Sequence, residues 1–467
     1  MPYSWLQFSV ARQQLAERLA NSGLVRFWTD AECGVYIIKA LRMFNALTFT
    51  WKTDFVFDLP LTSSVWNSLG LISGSPRLRT LTDNDAFVNM EYHLLEPPTG
   101  GTWTGTSQFN IADLSQALQR RRDEMIKVSN CNQSLMTGIP LTPDTRRTVL
   151  PDTVIDVTRV RYMPIPPPGS GFGEGGFGEG GFGGSPGNPN AGFTLFRDDV
   201  VALEFYEDDF WQAQEDTPQT FMVSSEAPLT FDVDIPPTLP GTYEAVVLQS
   251  GTPFDPPAAT LLGVPDDYAW VLEWGALSDV LGRESESTDR QRADYCLKRY
   301  QDGLNLMQKT PWIMLAKVDG QAVTIDAMDA ADNYMPEWDS DPSTFGPCLI
   351  SVGIDFFAAP TGHGIGVTVL GNAPIPVEDD DQVQVSRSNW DTVLDLAQVF
   401  ACFKMGGDEF QQALEIEKRA ILACAMENSR LRSTGSFSDI IVQRGQIQDF
   451  NQNRYNDANQ KAAAAAQ

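Results

Sequence analysis

Residues 29–57 read TDAECGVYIIKALRMFNALTFTWKTDFVF, and the spacing of their apolar positions changes partway along. Cys33, Ile37, Ala40, Leu41, Phe44 and Leu47 recur at three- and four-residue intervals, which aligns them on one face of an α-helix. Thr29 and Glu32 open that helix as a capping box, in which each side chain satisfies the other's free backbone N–H. Further on, Phe55-Val56-Phe57 ahead of Asp58 and Pro60 reads as a short strand. Two periods in one short stretch predict an α+β chain, with amphipathic helices in a bundle or in hairpins beside a small antiparallel β-sandwich.

The same reading extends outward. Phe8, Ala11, Leu15 and Leu19 mark a helix within 4–20 that stops at Asn21-Ser22-Gly23. Asn110 caps a third helix whose apolar side carries Ile111, Leu114, Leu118, Met125 and Val128. Residues 154–162, VIDVTRVRY, alternate as a strand and close a mixed unit over 1–163. Residues 164–192 are a proline run followed by GFG units with GEG spacers, which predicts a flexible loop. Residues 193–225 are expected to form a helical connector and 226–385 the sandwich-like domain. A helical hairpin inserted at about 264–308 starts at Pro265-Asp266-Asp267, with acids at the positive end of the helix dipole. Its second helix, opened by Thr288-Asp289, carries Ala293, Cys296, Tyr300, Leu304 and Met307 in register. A last hairpin over 386–429 hinges at Gly406-Gly407, and 430–467 reads as an extended or disordered arm.

Composition narrows the function. The chain has 467 residues, 42% hydrophobic and 10% aromatic, which is material for sizeable cores and two to four domains. No apolar run approaches the ~20 residues that span a bilayer. The first residues lack a basic stretch followed by an apolar one, so neither a membrane span nor a secretory signal is expected. Cys33, Cys131, Cys296, Cys348, Cys402 and Cys424 lie far apart with no C-x-x-C, as buried reduced thiols do. Asp and Glu outnumber Lys and Arg 61 to 33, for a net charge of −28. Sequence-specific nucleic-acid binding is disfavoured, because that affinity rests on cationic side chains displacing counterions.

Marks of catalysis are few. His93 and His363 are the only histidines. His93, in Tyr92-His93-Leu94-Leu95, suits a core or boundary position better than a general base, and His363 reads as a turn residue. Histidine-based triads and zinc sites are therefore disfavoured. No GxxxxGK[ST] loop or GxSxG elbow occurs. Asp379-Asp380-Asp381 and Asp339-Ser340-Asp341 could interest a hard cation but lack calcium-loop spacing, and read as solvated acidic turns. No catalytic, cofactor-binding or metal-binding residue is assigned. Arg120-Arg121-Arg122, together with Arg146-Arg147, is the one basic concentration. It reads as a salt-bridged helix face or as a contact with an acidic neighbouring subunit. Arg120, Arg121 and Arg122, with Phe172, Phe177 and Phe182 of the glycine-rich segment, are the candidate protein–protein contacts.

Residues 27–42, FWTDAECGVYIIKALR, resemble a capped-helix pattern common in head-to-tail adaptor proteins of tailed bacteriophages. The tract 109–122, FNIADLSQALQRRR, resembles a later helix of phage neck proteins. Residues 268–282, YAWVLEWGALSDVLG, followed by RADYC at 292–296, resemble uncharacterised phage structural proteins. The β-rich part from 226 to 375 has no counterpart in that pattern. The resemblance implies a non-enzymatic virion protein, assembled in the host cytoplasm and free of cofactors and membrane. It implies a homo-oligomeric ring, twelve copies in the family, that sits on the portal protein, meets tail or neck proteins and lets DNA pass. An acidic lumen that DNA does not adhere to is the expected consequence of the charge. Two other readings are a tail-tip or receptor-binding component and a carboxylate-dependent cell-wall glycosidase.

Overall fold

The computed structural model describes residues 6–20, 27–58, 67–68, 79–94, 109–140, 145–164, 193–199, 218–224, 229–237, 241–254, 259–283, 289–310, 313–318, 321–323, 325–327, 349–352, 355–358 and 364–433. Among these are eight α-helices: α1 Phe8–Arg18, α2 Asp30–Thr48, α3 Asp83–His93, α4 Ile111–Ser129, α5 Ala269–Leu281, α6 Arg290–Gln308, α7 Arg387–Met405 and α8 Gly407–Ser433. None of them is long and apolar enough to cross a membrane.

Local chemistry starts α2, α4 and α6 where the sequence predicts. Thr29 N donates to Glu32 Oε2 at 2.7 Å and Glu32 N to Thr29 Oγ1 at 3.2 Å, completing the box on α2. Ala112 N donates to Asn110 Oδ1 at 3.0 Å and Arg292 N to Asp289 Oδ1 at 3.0 Å. The turn from α7 to α8 uses positive φ at Gly406 (66°) and Gly407 (58°), which glycine adopts without a Cβ penalty. α3 is a helix that the sequence reading passes over, although Thr82 and Asp85 form a second capping box at 2.9 and 3.4 Å.

The strands, numbered in chain order, form three sheets. The first has the order β1 (Lys52–Asp58), β15 (Gly364–Leu370), β10 (Ile313–Val318), β11 (Gln321–Val323). The second runs β12 (Ile325–Ala327), β13 (Leu349–Val352), β14 (Asp355–Ala358), β2 (Asn67–Ser68). The third has seven strands: β3 (Gln133–Pro140), β9 (Gly241–Gln249), β5 (Val154–Pro164), β6 (Phe193–Arg197), β7 (Thr220–Val223), β8 (Thr230–Val233) and β4 (Arg147–Val149).

This corrects the expected antiparallel sandwich. β12–β13 and β6–β7 are parallel pairs, so two of the sheets are mixed. The long sheet curls, packing Val157, Val160, Phe221, Phe231, Tyr243 and Val247 into one core of its own. Alternation along a strand determines which side chains share a face and leaves partner and direction open. The stretch expected to start a helical connector at 193 is instead β6, and Thr220–Val223 is β7.

Sheet pairing also crosses the expected unit boundaries. Tyr162 pairs with Phe193 across the glycine-rich segment, Leu135 with Val246, and Phe55 with Val367. Residues 1–163 and 226–385 are therefore laced together by strand pairing. The hairpin expected as an insertion in the sheet domain, α5 and α6, belongs instead to the main helical core. α5 lies against α4 and α6, with Trp270, Val271, Leu272, Trp274 and Leu277 all buried. Helices α1, α7 and α8 pack on α2, which is why its Tyr36, Lys39, Arg42 and Met43 are buried as well as the expected stripe.

Candidate functional site

The densest set of buried ionisable groups lies where α2, α3, α5, α6 and α7 meet. Lys39 Nζ of α2 is 2.5 Å from Glu273 Oε2 of α5, each side chain 4% exposed. The same ammonium lies 2.9 Å from His93 Nε2 at the end of α3. Asn89 Nδ2 donates to Glu273 Oε1 at 2.7 Å, tying α3 to α5 a second time. The imidazole is walled by Trp274 (5.2 Å between ring centres), Phe403 (5.5 Å), Tyr36 (5.7 Å) and Phe400 (6.3 Å). Nearby, Lys404 of α7 pairs with Glu32 of α2, and Arg292 Nε of α6 pairs with Asp289 at 2.7 Å.

Burial, reinforced by Lys39, Arg292 and Lys404, holds His93 well below the usual histidine range, so the ring is neutral. Lys39 donates to Nε2, which leaves the ring proton on Nδ1, an atom with no partner among the described residues. Burial also lowers Lys39, with Glu273 opposing. Lysine, carboxylate and imidazole are catalytic residue types, but a reaction needs a face open to substrate, and His93 is only 1% exposed. Paired buried charges of this kind hold elements in one register, because any other register strands a charge away from water.

A second polar knot sits at the start of α5. Asp266 accepts from Thr80 N (2.8 Å), Thr80 Oγ1 (2.6 Å), Leu81 N (3.0 Å) and Asn372 Nδ2 (2.9 Å). Asp267 accepts from Asn45 Nδ2 at 2.5 Å and from Ala373 N at 3.1 Å, and burial pushes it up to about 7. These two acids, read from sequence as dipole partners, instead fasten α2 and two chain crossings to α5. A third link joins α6 to α8, where Glu417 accepts from Arg299 NH2 at 2.6 Å and from Tyr295 OH at 2.8 Å.

The arginines of α4 divide. Arg122 is unexposed and stacks over Phe254 at 4.1 Å. It donates to Thr252 O (3.0 Å), Gln119 Oε1 (2.9 Å) and Ser250 Oγ (3.1 Å). Arg121 grips Asp279 of α5 through Nε (3.0 Å) and NH2 (2.7 Å) and lies over Tyr300 at 4.8 Å. Both hold groups of this fold: their donors are engaged inside the chain. Arg120 also pairs with Asp279 but is 66% exposed, so of the three it alone presents itself outward. Beside Arg122, a groove of about 430 Å³ runs between Ile111, Ser115 and Gln119 of α4 and Phe254.

The acidic turn has a structural use. Asp381 O and Asp379 O accept from Phe8 N (2.8 Å) and Ser9 N (3.1 Å), satisfying the first donors of α1. Asp381 Oδ2 accepts from Val377 N and Glu378 N, which lowers its carboxyl below the usual range. Among the described residues no group of three or more metal-binding side chains occurs. Cys33, Cys131, Cys296, Cys402 and Cys424 are buried and form no disulfide with one another. Phe172, Phe177, Phe182, His363, Asp339, Asp341 and Cys348 lie outside the described residues.

Sequence reasoning missed Lys39, Glu273 and Asp267 as core residues. The available signal was a charged residue inside an apolar run, as in Trp270-Val271-Leu272-Glu273-Trp274. Neither protein-family models nor curated proteins give a match to this sequence.

Proposed function

We propose that this chain is a structural protein of a tailed-phage virion. In this reading it forms a ring at the head-to-tail junction that joins the portal to tail or neck proteins and leaves a passage for DNA. One observation carries it: the scattered stretches that resemble phage adaptor and neck proteins, 27–42, 109–122, 268–282 and 292–296, fold into one hydrophobic core. α2 and α5 are joined by Lys39–Glu273, α4 and α5 by Arg121–Asp279, and α5 meets α6 at Gly303. The net charge of −28 suits a conduit that DNA must slide through without adhering.

The test is the mass of the purified full chain, alone and mixed with the portal protein of the same phage, by light scattering and electron microscopy. Rings, twelve-membered by family expectation, that join the portal rings are the expected outcome. A monomer that ignores the portal at micromolar concentration would end this reading.

A further inference from the structure

Among the described residues, each of the three cations that act on His93 stands with its own carboxylate. Lys39 is 2.5 Å from Glu273, Lys404 pairs with Glu32, and Arg292 is 2.7 Å from Asp289. Tyr36 of α2 presents its ring, and Glu91, buried near the same end of α3, has interactions of its own. These three cations are therefore matched while the imidazole is neutral. A protonated imidazole would carry hydrogen on both nitrogens, so Nε2 could no longer accept from Lys39. It would add an unmatched cation among Lys39, Arg292 and Lys404, in a place walled by Trp274, Phe400 and Phe403.

We propose that His93 is a proton-operated latch: neutral, it closes the end of α3 onto α2, α5 and α7, and protonated, it opens that junction. The position suits the task. His93 is the last residue of α3, and Arg292 NH1 lies 3.5 Å from its carbonyl oxygen. Opening there detaches Asn89 from Glu273 as well, so one proton loosens the whole inner face of α3. The latch depends only on the folded core and holds whether or not the chain assembles on a portal.

Hydrogen exchange of the full-length protein between pH 5 and 7.5, corrected for the intrinsic pH dependence of exchange, tests it beside His93→Gln. Glutamine keeps an acceptor for Lys39 and cannot take up a proton. In the wild type, amides of residues 83–93 and of the facing turns of α7 are expected to lose protection below about pH 6.5, by up to about tenfold per pH unit. In the variant that loss on acidification is absent. Unchanged wild-type protection down to pH 5, or the same pH dependence in the variant, overturns the latch. If the variant does not fold, wild-type ¹⁵N-histidine spectra decide, since the chain has only two histidines. His93 should keep a neutral-ring spectrum below about pH 6.5 while protection falls, because only the sparsely populated opened form carries the proton. A ring that gains its proton at about pH 6.5 while α3 stays protected overturns the latch.

Discussion

Lys39 of α2 and Glu273 of α5 form an ion pair at 2.5 Å with each side chain only 4% exposed, joining helices far apart in the chain. Removing one partner leaves a buried charge with nothing opposite it. Lys39→Met or Glu273→Leu alone is expected to cost about 3–5 kcal/mol, whereas the double substitution should cost far less than their sum. Urea unfolding of the four proteins completes the cycle. Additive losses would mean that the two charges do not act as a pair.

Gly303 of α6 faces Val271 of α5 so closely that an added Cβ would stand 2.5 Å from Val271 Cγ2. Alanine favours a helix interior over glycine by about 1 kcal/mol. Overpacking costs about 1–3 kcal/mol, so the clash should win and Gly303→Ala should lower the melting temperature. A rise in melting temperature would place α5 and α6 further apart than described.

Asp267 makes stability fall as pH rises. Its carboxyl is pushed up to about 7 by burial, against Asn45 and Arg42, while an unfolded chain releases the proton near about pH 4. Between those values the folded chain holds a proton that the unfolded chain has lost, which removes up to about 1.4 kcal/mol per pH unit. Asp267→Asn should therefore gain on the wild type from pH 5 to 7 and level off above. A pH-independent difference between the two proteins counts against the assignment. His93 acts in the opposite sense: its folded-state value is depressed, so its stability is present above about pH 6.5 and lost as pH falls below that.

Arg122 and Arg120 stand two residues apart on α4, about half a turn, which puts one inside and the other outside. Arg122→Ala strands the Thr252 carbonyl and uncovers Phe254, and is expected to cost more than about 2 kcal/mol. Arg122→Lys should recover little, since lysine lacks the planar fork that stacks and donates twice. Arg120→Ala should change stability by no more than about 0.5 kcal/mol. Thermal melts that rank the two alanine substitutions equally would contradict the burial described.

Helix positions were legible because their signals are local. The box at Thr29 and Glu32, the cap at Asn110 and the stripe Ala293, Cys296, Tyr300, Leu304 and Met307 each depend on residues within a few turns, and all occur as read. α3 carried such a signal too, in Thr82 and Asp85 ahead of Ala86, Phe87 and Met90. The short run Phe193–Arg197 misled because five residues can satisfy either period, and pairing with β5 and β7 settles it as a strand.

By itself the amino-acid sequence determined where the capped helices α2, α4 and α6 begin, which stripe each buries, and that the chain mixes both kinds of element. Only the tertiary structure decided which strands pair, that α5 and α6 join the N-terminal helices, and that Lys39, His93, Glu273 and Asp267 are interior. Periodicity and capping are set by neighbours along the backbone, whereas a charge can be buried only if a distant segment brings the group that neutralises it.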